Sequence, residues 1–452
     1  MVKKPVRSLS GIAVIAVMAP AFECPGKCLY CFRGPQAAQS YTGLEPAARR
    51  AIANKYDPYL MTRNRIEQLE RNGHPTEKLE IIVMGGTFNF FPKEFQERFV
   101  KRIFDACNEV DARSLEEAHR INENAPHRII GLTFETRPDW ATIPELNWFL
   151  KLGATRIELG IQTIYDDVLE LVRRGHRVKE SIRATRDAKD LGYKVNYHIM
   201  PGLPGSSMKR DYSIFKEIFF REDFRPDMLK IYPTLVIPGS ELENLYKRGL
   251  FNPITTKQAV ELLSRVKPLI PVWVRIMRIQ RDVPIPAIEA GVDKGNLREL
   301  VWKEMERMGK KCRCIRCREV RTEKDIKLSL AERRYKASGA WEVFLSWEDL
   351  EKDKIVGFLR LRLLKRFLRP ELENSAIVRE LRIYGPQARI GEKGLWQHKG
   401  LGRKLMEKAE EIALEEGYEK LAVISGVGVR GYFRKLGYEL EGVYMVKDLK
   451  GF

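Results

Sequence analysis

Cys24, Cys28 and Cys31 lie in one short stretch, Cys24-Pro-Gly-Lys-Cys28-Leu-Tyr-Cys31. Three thiolates at this spacing can hold three irons of a 4Fe–4S cluster and leave the fourth iron without a protein ligand. An open iron can bind the amino and carboxylate groups of S-adenosylmethionine and pass an electron to its sulfonium. Homolytic cleavage then gives a 5′-deoxyadenosyl radical. A zinc site is the alternative, but three ligands at this spacing with no nearby fourth Cys or His fit it poorly. Downstream, Val83-Met84-Gly85-Gly86-Thr87 closes an apolar run with two glycines, which let a backbone approach a small ligand such as the methionine end of a nucleotide. Glu135, Glu158, Gln162 and His198 fall near later strand ends and are the polar groups available to line the same pocket.

A second group, Cys312-Arg-Cys314-Ile-Arg-Cys317, offers three thiolates flanked by Lys310, Lys311, Arg313, Arg316 and Arg318. Zinc with a fourth ligand from elsewhere, Cys107 or a His, is the expected occupant, with a structural role between domains. The basic neighbours are positioned to contact phosphate. Free cysteines are the alternative.

Further on, Gln397-His398-Lys399-Gly400-Leu401-Gly402-Arg403 precedes a run of good helix formers. This Q-x-x-G-x-G pattern is similar to the pyrophosphate loop of the GNAT acetyltransferase fold. There, backbone N–H groups at a helix N-terminus converge on phosphate. In the fold it resembles, the strand bearing Glu380, Leu381, Arg382 and Ile383 splays open to pair with the pantetheine amides of acetyl-CoA. Gly400, Leu401, Gly402 and Arg403 hold the pyrophosphate. Tyr432 is placed near the thioester sulfur, where a phenol can protonate the departing thiolate. Phe433 packs on the ligand without donating, and Tyr438 reads as a core aromatic.

Strand–helix alternation must position these groups. Expected strands are Gly11–Met18, Glu80–Gly85, Arg128–Glu135, Thr155–Ile161, Lys194–Met200, Met228–Tyr232 and Val272–Arg278, with helices such as Lys93–Val110 and Lys179–Leu191 between them. That order argues a parallel sheet, open or closed into a barrel, with chemistry at the C-terminal strand ends. From Gly339 a second α/β unit follows: strands Trp341–Ser346, Ile355–Arg362 and Ala376–Tyr384, a helix near Gly400 to Glu416, and strand Lys420–Ser425. A closing helix and strand complete it. The expected division is 1–296, a cysteine-bearing linker 297–335, and 336–452.

Several segments together resemble the catalytic third subunit of Elongator, of the archaeal and bacterial type. They are Ser40-Tyr41-Thr42-Gly43 through Lys55-Tyr56-Asp57-Pro58-Tyr59, Met84-Gly85-Gly86-Thr87-Phe88, and Phe134-Glu135-Thr136-Arg137-Pro138-Asp139. To these add Glu158-Leu159-Gly160-Ile161-Gln162-Thr163 and His198-Ile199-Met200-Pro201-Gly202-Leu203-Pro204-Gly205. The resemblance covers nearly the whole chain. It implies a radical-SAM partial TIM-type barrel followed by a GNAT domain, with Lys78 contacting acetyl-CoA from the first domain. It also implies formation of 5-carboxymethyluridine at the tRNA wobble position: the deoxyadenosyl radical takes a hydrogen from the acetyl methyl, and the carbon radical adds to uracil carbon 5. Thioester hydrolysis follows. Expected partners are tRNA and acetyl-CoA, with a homodimer or other Elongator subunits beyond them. Phe32-Arg33 stands where the family usually has Pro-Gly, and Phe433 replaces one of a tyrosine pair. Members of the family often carry a basic N-terminal extension that helps hold tRNA, whereas this chain starts almost directly at the first strand, so weaker tRNA affinity is expected. The rival from another class is a protein lysine acetyltransferase with a structural iron–sulfur domain, with Glu380 its one evident general base.

Bulk properties agree. Across 452 residues, 80 Lys and Arg against 61 Asp and Glu give a net charge of +19, which favours a polyanionic partner such as nucleic acid. A heat-adapted charged surface is the alternative. The apolar run Gly11 to Phe22, after Lys3, Lys4 and Arg7, imitates a signal peptide. It is too short to span a bilayer, and its alternation suits a buried strand. Seven cysteines in clusters suit a reducing cytoplasm rather than disulfides.

Overall fold

Strands β1 to β7 are Ala13–Met18, Lys78–Met84, Arg128–Thr136, Arg156–Gln162, Lys194–Ile199, Met228–Ile231 and Arg275–Arg278. In this computed structural model, which describes residues 9–387, 394–397 and 399–450, they form one sheet in sequence order. Every neighbouring pair is parallel. Among the described residues β1 does not pair with β7, so the barrel is partial. The seven expected strands are all present. Helices Lys93–Asn108 and Val178–Asp190 match the amphipathic patterns and bury their apolar faces against the sheet's outer side. The segment that imitates a signal peptide is β1, whose Ile15 and Val17 are wholly buried in the core. Lys3, Lys4, Arg7 and His398 lie outside the described residues.

Strands β8 to β14 are Ser329–Ala337, Ala340–Asp349, Lys354–Leu363, Ser375–Ile383, Lys420–Val423, Glu439–Glu441 and Tyr444–Asp448. Their order is β13-β14-β12-β11-β10-β9-β8. β8 begins inside the stretch read as linker. Its sequence, Ser-Leu-Ala-Glu-Arg-Arg-Tyr-Lys-Ala, is an edge strand with four charged residues, which mask the apolar alternation that marks inner strands. β11 and β12 run parallel and pair only over Ser375–Val378 and Lys420–Val423. The register slips at Arg379, where Arg360 pairs with Glu380 and Leu361 with Val378. Beyond that bulge β11 keeps β10 on one side and parts from β12 on the other.

The two sheets are joined by close packing and buried charge. Any side chain at Gly426 would stand 2.1 Å from the Ile130 carbonyl oxygen of β3. Arg379 donates to both carboxylate oxygens of Asp227 at 2.7 Å and to Glu342 at 2.8 Å, and Arg362 to Asp190 at 2.6 Å. No helix among the described residues is long and apolar enough to cross a membrane.

Candidate active site

The first pocket opens at the C-terminal ends of the parallel strands, as the strand pattern requires. Cys24, Cys28 and Cys31 project into it from the loop after β1. Cys31 Sγ lies 3.0 Å from both Gln39 Nε2 and Ser40 Oγ, and Cys24 Sγ accepts the Gly26 N–H at 3.4 Å. Burial pushes the Cys31 thiol up, and the two side-chain hydrogen bonds work the other way. Gly86, Thr87, Glu135, Glu158, Gln162 and His198 line the same pocket. Gly85 does not. It takes φ +122° and lies behind the lining, where a side chain would press on Ala19 at 3.2–3.3 Å.

Three of the polar residues are tied together by one that sequence reasoning missed. Lys230, buried on β6, bonds to the Glu158 carboxylate and lies 3.5 Å from Glu135. His198 Nε2 is 2.8 Å from the same Glu158 oxygen. Burial opposes charge on Glu158, yet Lys230 and His198 hold its carboxyl well below the usual range. Glu135, Glu158 and His198 could in principle share a metal ion, but the Lys230 ammonium already meets both carboxylates.

The second pocket lies where β11 and β12 part, against the opposite, N-terminal end of the barrel. Glu380, Leu381, Arg382, Ile383, Gly400, Leu401, Gly402, Arg403, Tyr432 and Phe433 all line it, and so does Lys78 from β2. Gly400 is the left-handed cap (φ +76°) of helix Leu401–Glu415, and a Cβ there would meet nothing within 4 Å. A Cβ on Gly402 would stand 3.0 Å from the Tyr432 hydroxyl. Burial pushes the Tyr432 phenol up to about 12, with nearby Arg403 opposing. Tyr438 is core, its hydroxyl donating to Glu410 at 2.7 Å.

The first domain supplies groups to this second pocket that no motif announced. Glu80, Thr133, Arg156 and Lys194 line it beside Lys78. Burial lowers the Lys194 ammonium to about 8, although Glu380 favours its charge. Burial works against Glu80, but Arg382 and Arg156 bring its carboxyl down to about 2. Strand periodicity was the available signal: Arg156, Glu158, Gly160 and Gln162 alternate on β4, and Lys194, Asn196 and His198 on β5. Each strand therefore puts a polar group into both pockets. A file of charge runs between them, Arg382 to Glu80 at 3.0 Å, Glu80 to Arg156 at 3.7 Å and Arg156 to Glu158 at 3.7 Å.

The third site sits between the sheets. Cys312, Cys314 and Cys317 bring their sulfurs within 4.8 Å of one another. The Ile315 N–H bonds to Val274 just before β7, and Val320 to Ile355 of β10. Cys107 does not join them. It is wholly buried on helix Lys93–Asn108, in the apolar core behind the first sheet.

Residues 18–216 match the Radical SAM superfamily, 226–307 the Radical_SAM C-terminal domain, and 315–438 the acetyltransferase (GNAT) family. The chain is 52% identical over 467 residues to the tRNA uridine(34) acetyltransferase of Methanocaldococcus jannaschii, covering 99% of this chain and 86% of that protein. It belongs to the Elongator complex protein 3 family. The family's human member, Elongator complex protein 3 of Homo sapiens, is 45% identical over 469 residues, 99% of this chain and 86% of it. A solved structure of Methanocaldococcus infernus Elp3 with an N-terminal deletion superposes with a TM-score of 0.87 at 47% identity, covering 97% of this chain and 100% of that one. The chain is thus an enzyme of the Elongator complex protein 3 family, a Radical SAM half-barrel followed by a GNAT domain. The first domain implies a 4Fe–4S cluster and S-adenosylmethionine, the second acetyl-CoA. The donor sets fit: three convergent thiols and a buried, unpartnered Arg137 Nη1 in the first pocket, an open strand edge and a glycine-capped helix in the second.

Proposed function

We propose that this enzyme modifies the wobble uridine of tRNA, forming 5-carboxymethyluridine from acetyl-CoA by radical S-adenosylmethionine chemistry. The observation that carries the reading is the shared barrel: β4 and β5 each line the cysteine pocket at one end and the acetyl-CoA pocket at the other. A radical generator and an acetyl carrier on one lumen suit a reaction that needs both. The relatives named tRNA uridine(34) acetyltransferase support the tRNA substrate, and so does the net charge of +19.

Cys24, Cys28 and Cys31 would hold the cluster, which when bound with S-adenosylmethionine supplies a hydrogen-abstracting radical. Gly86, Thr87, Glu135, Glu158, Gln162 and His198 would seat the nucleotide. The N–H groups of Gly400 to Arg403 would meet the pyrophosphate at the helix N-terminus. The free edge of Glu380 to Ile383 would pair with the pantetheine amides, and Lys78 would contact the ligand from the barrel side. Tyr432, protonated at neutral pH, would donate to the departing thiolate. Tyr432→Phe should therefore slow acetyl-CoA turnover about 100-fold while leaving its Kd within about twofold. Equal losses in both would move Tyr432 from catalysis to binding.

A lysine acetyltransferase would need Glu380 free as a base, but its carboxylate is held by Arg360 Nε at 2.9 Å, both side chains buried. The division 1–296, 297–335 and 336–452 is the proposed domain plan with its second boundary drawn back to Ser329, where β8 of the second sheet begins, and zinc on Cys312, Cys314 and Cys317 is the proposed staple. Elemental analysis should find one zinc per chain, lost in Cys314→Ser with a fall in Tm; an unchanged Tm in zinc-free protein would remove the structural role. A reducing cytoplasm suits these thiols, and other Elongator subunits are the proposed further partners.

The deciding experiment is mass spectrometry of nucleosides from tRNA incubated anaerobically with reconstituted protein, S-adenosylmethionine, reductant and isotope-labelled acetyl-CoA. Labelled carboxymethyluridine is the expected product. Cleaved S-adenosylmethionine and bound tRNA with no modified nucleoside would reject the reading.

A further inference from the structure

Two buried arginines stand against the cysteine loop: Arg174 lacks an acidic partner among the described residues, and Arg137 keeps one nitrogen unmet. Arg174 follows the short helix Asp166–Leu171. Its Nη1 lies 3.5 Å from Cys28 Sγ, while Nε and Nη2 donate to the Gly160 carbonyl at 3.3 and 2.8 Å. Among the described residues no carboxylate lies within ion-pair distance of Arg174. The same loop is bound to the cysteine loop through the Leu29 N–H on the Val172 carbonyl at 3.1 Å.

Arg137, just past the end of β3, approaches from the other side. Its Nε and Nη2 meet the Asp139 carboxylate at 3.0 and 2.8 Å. Its Nη1 is buried without any hydrogen-bond partner. That atom sits on the cysteine loop: a Cβ on Gly26 would stand 2.2 Å from Arg137 Nη1 and 3.6 Å from Cys28 Sγ. Both arginines are less than 9% exposed and line the cysteine pocket. Each is seated by a glycine: a Cβ on Gly160 would be 2.3 Å from Arg174 Nη2, and one on Gly175 would be 2.5 Å from Arg137 Nη2. Room is kept for two guanidinium groups where apolar packing would have been simpler. Arg174, a buried cation without a counter-charge, and the unmet Nη1 donor of Arg137 are both costly, and negative charge that arrives with a ligand explains their place.

We propose that Arg137 and Arg174 raise the reduction potential of the cluster held by Cys24, Cys28 and Cys31, acting as positioning residues that favour its reduced state. This rests on the cluster reading given above. Three thiolates around a doubly positive iron–sulfur core carry one net negative charge, and uptake of one electron from a low-potential external donor raises that to two. No bond forms or breaks in this step. The fixed charge of Arg174 in a low-dielectric pocket stabilises the more negative state more, and the free Nη1 donor of Arg137, whose charge Asp139 offsets, acts in the same direction as a hydrogen bond to sulfur does.

The test is a potentiometric titration of reconstituted protein, followed by electron paramagnetic resonance, with iron and sulfide assayed on each sample. Arg137→Gln and Arg174→Gln remove charge but keep a donor. At a fixed potential each should show at least a tenfold lower ratio of reduced to oxidised cluster at unchanged iron content, a downward shift of 59 mV for a one-electron couple. Arg137→Lys and Arg174→Lys keep the charge and should stay within threefold of wild type. Glutamine variants with full iron content and an unmoved potential would overturn the proposal, leaving the arginines as props of the loop. If those variants hold no cluster, Asp139→Asn decides: it frees the Arg137 charge and should raise the ratio at least tenfold, and an unmoved potential overturns the proposal. A wild-type protein that takes up no cluster would reject the underlying reading instead.

Discussion

Cys28→Ala should abolish reductive cleavage of S-adenosylmethionine and formation of the labelled nucleoside together, each at least ~1000-fold, equivalent to ~4 kcal/mol or more in barrier. Cys28 is the most buried of the three thiols and the one that Arg174 faces, so its loss leaves two sulfurs on a loop that also loses its central contact. None of the three cysteines lines the second pocket, so acetyl-CoA should bind the variant within about twofold of wild type. That split separates a radical role from a scaffolding one. Retention of a tenth of the activity in Cys28→Ala would show that the cluster does not depend on this ligand.

Asp227→Ala should destabilise the protein by about 3–5 kcal/mol, the usual cost of stranding a buried charge. Asp227, Arg379, Lys189, Glu342 and Arg362 are all buried to within 2% of full exclusion from solvent, and they bridge the barrel to the second sheet. Removing Asp227 leaves Arg379 with only Glu342 and the Tyr193 carbonyl. Burial disfavours the Asp227 carboxylate, but Arg379 and Lys189 hold its pKa far below the ordinary value. A depressed carboxylate contributes its stability above the unfolded pKa of about 3.9, and loses it only as pH falls below that toward the folded value. Burial already brings the Lys189 ammonium to about 8 while Asp227 favours its charge, so in the variant Lys189 loses its proton more readily, and the deficit, read from denaturant unfolding, should be largest near pH 5 and shrink toward pH 8. A deficit that grows toward pH 8 would mean another group carries the coupling.

The elements that carry the chemistry were legible for a simple reason. Buried parallel strands read as apolar runs, and glycine marks where a turn must follow, so all seven barrel strands and the Gly400–Gly402 cap stood out. The edge strand β8 did not, since four of its nine residues are charged and three of those face solvent. Gly85 was read one position too generously: past the end of β2 both glycines take positive φ, and the bend leaves Gly86 on the pocket while Gly85 packs on Ala19. Cys107 was a candidate ligand only because cysteines attract attention in a sequence, and helix packing puts it in apolar surroundings away from the cluster of three.

By itself, then, the sequence determined what local spacing can encode: three thiolates on one loop, three more on another, a glycine-capped helix, and the order of strands that aims them. Tertiary structure alone decided the rest. Glu80, Arg156 and Lys194 join Lys78 in completing the acetyl-CoA pocket from the other domain, and Lys230 joins Glu135, Glu158 and His198. Arg137 and Arg174 close on the cysteine loop, and Arg379 finds Asp227 across 152 positions of chain. The physical reason is that spacing along a strand or turn fixes only near neighbours. A charge deep in the chain signals that it must be paired, and only the packing of two sheets selects the partner.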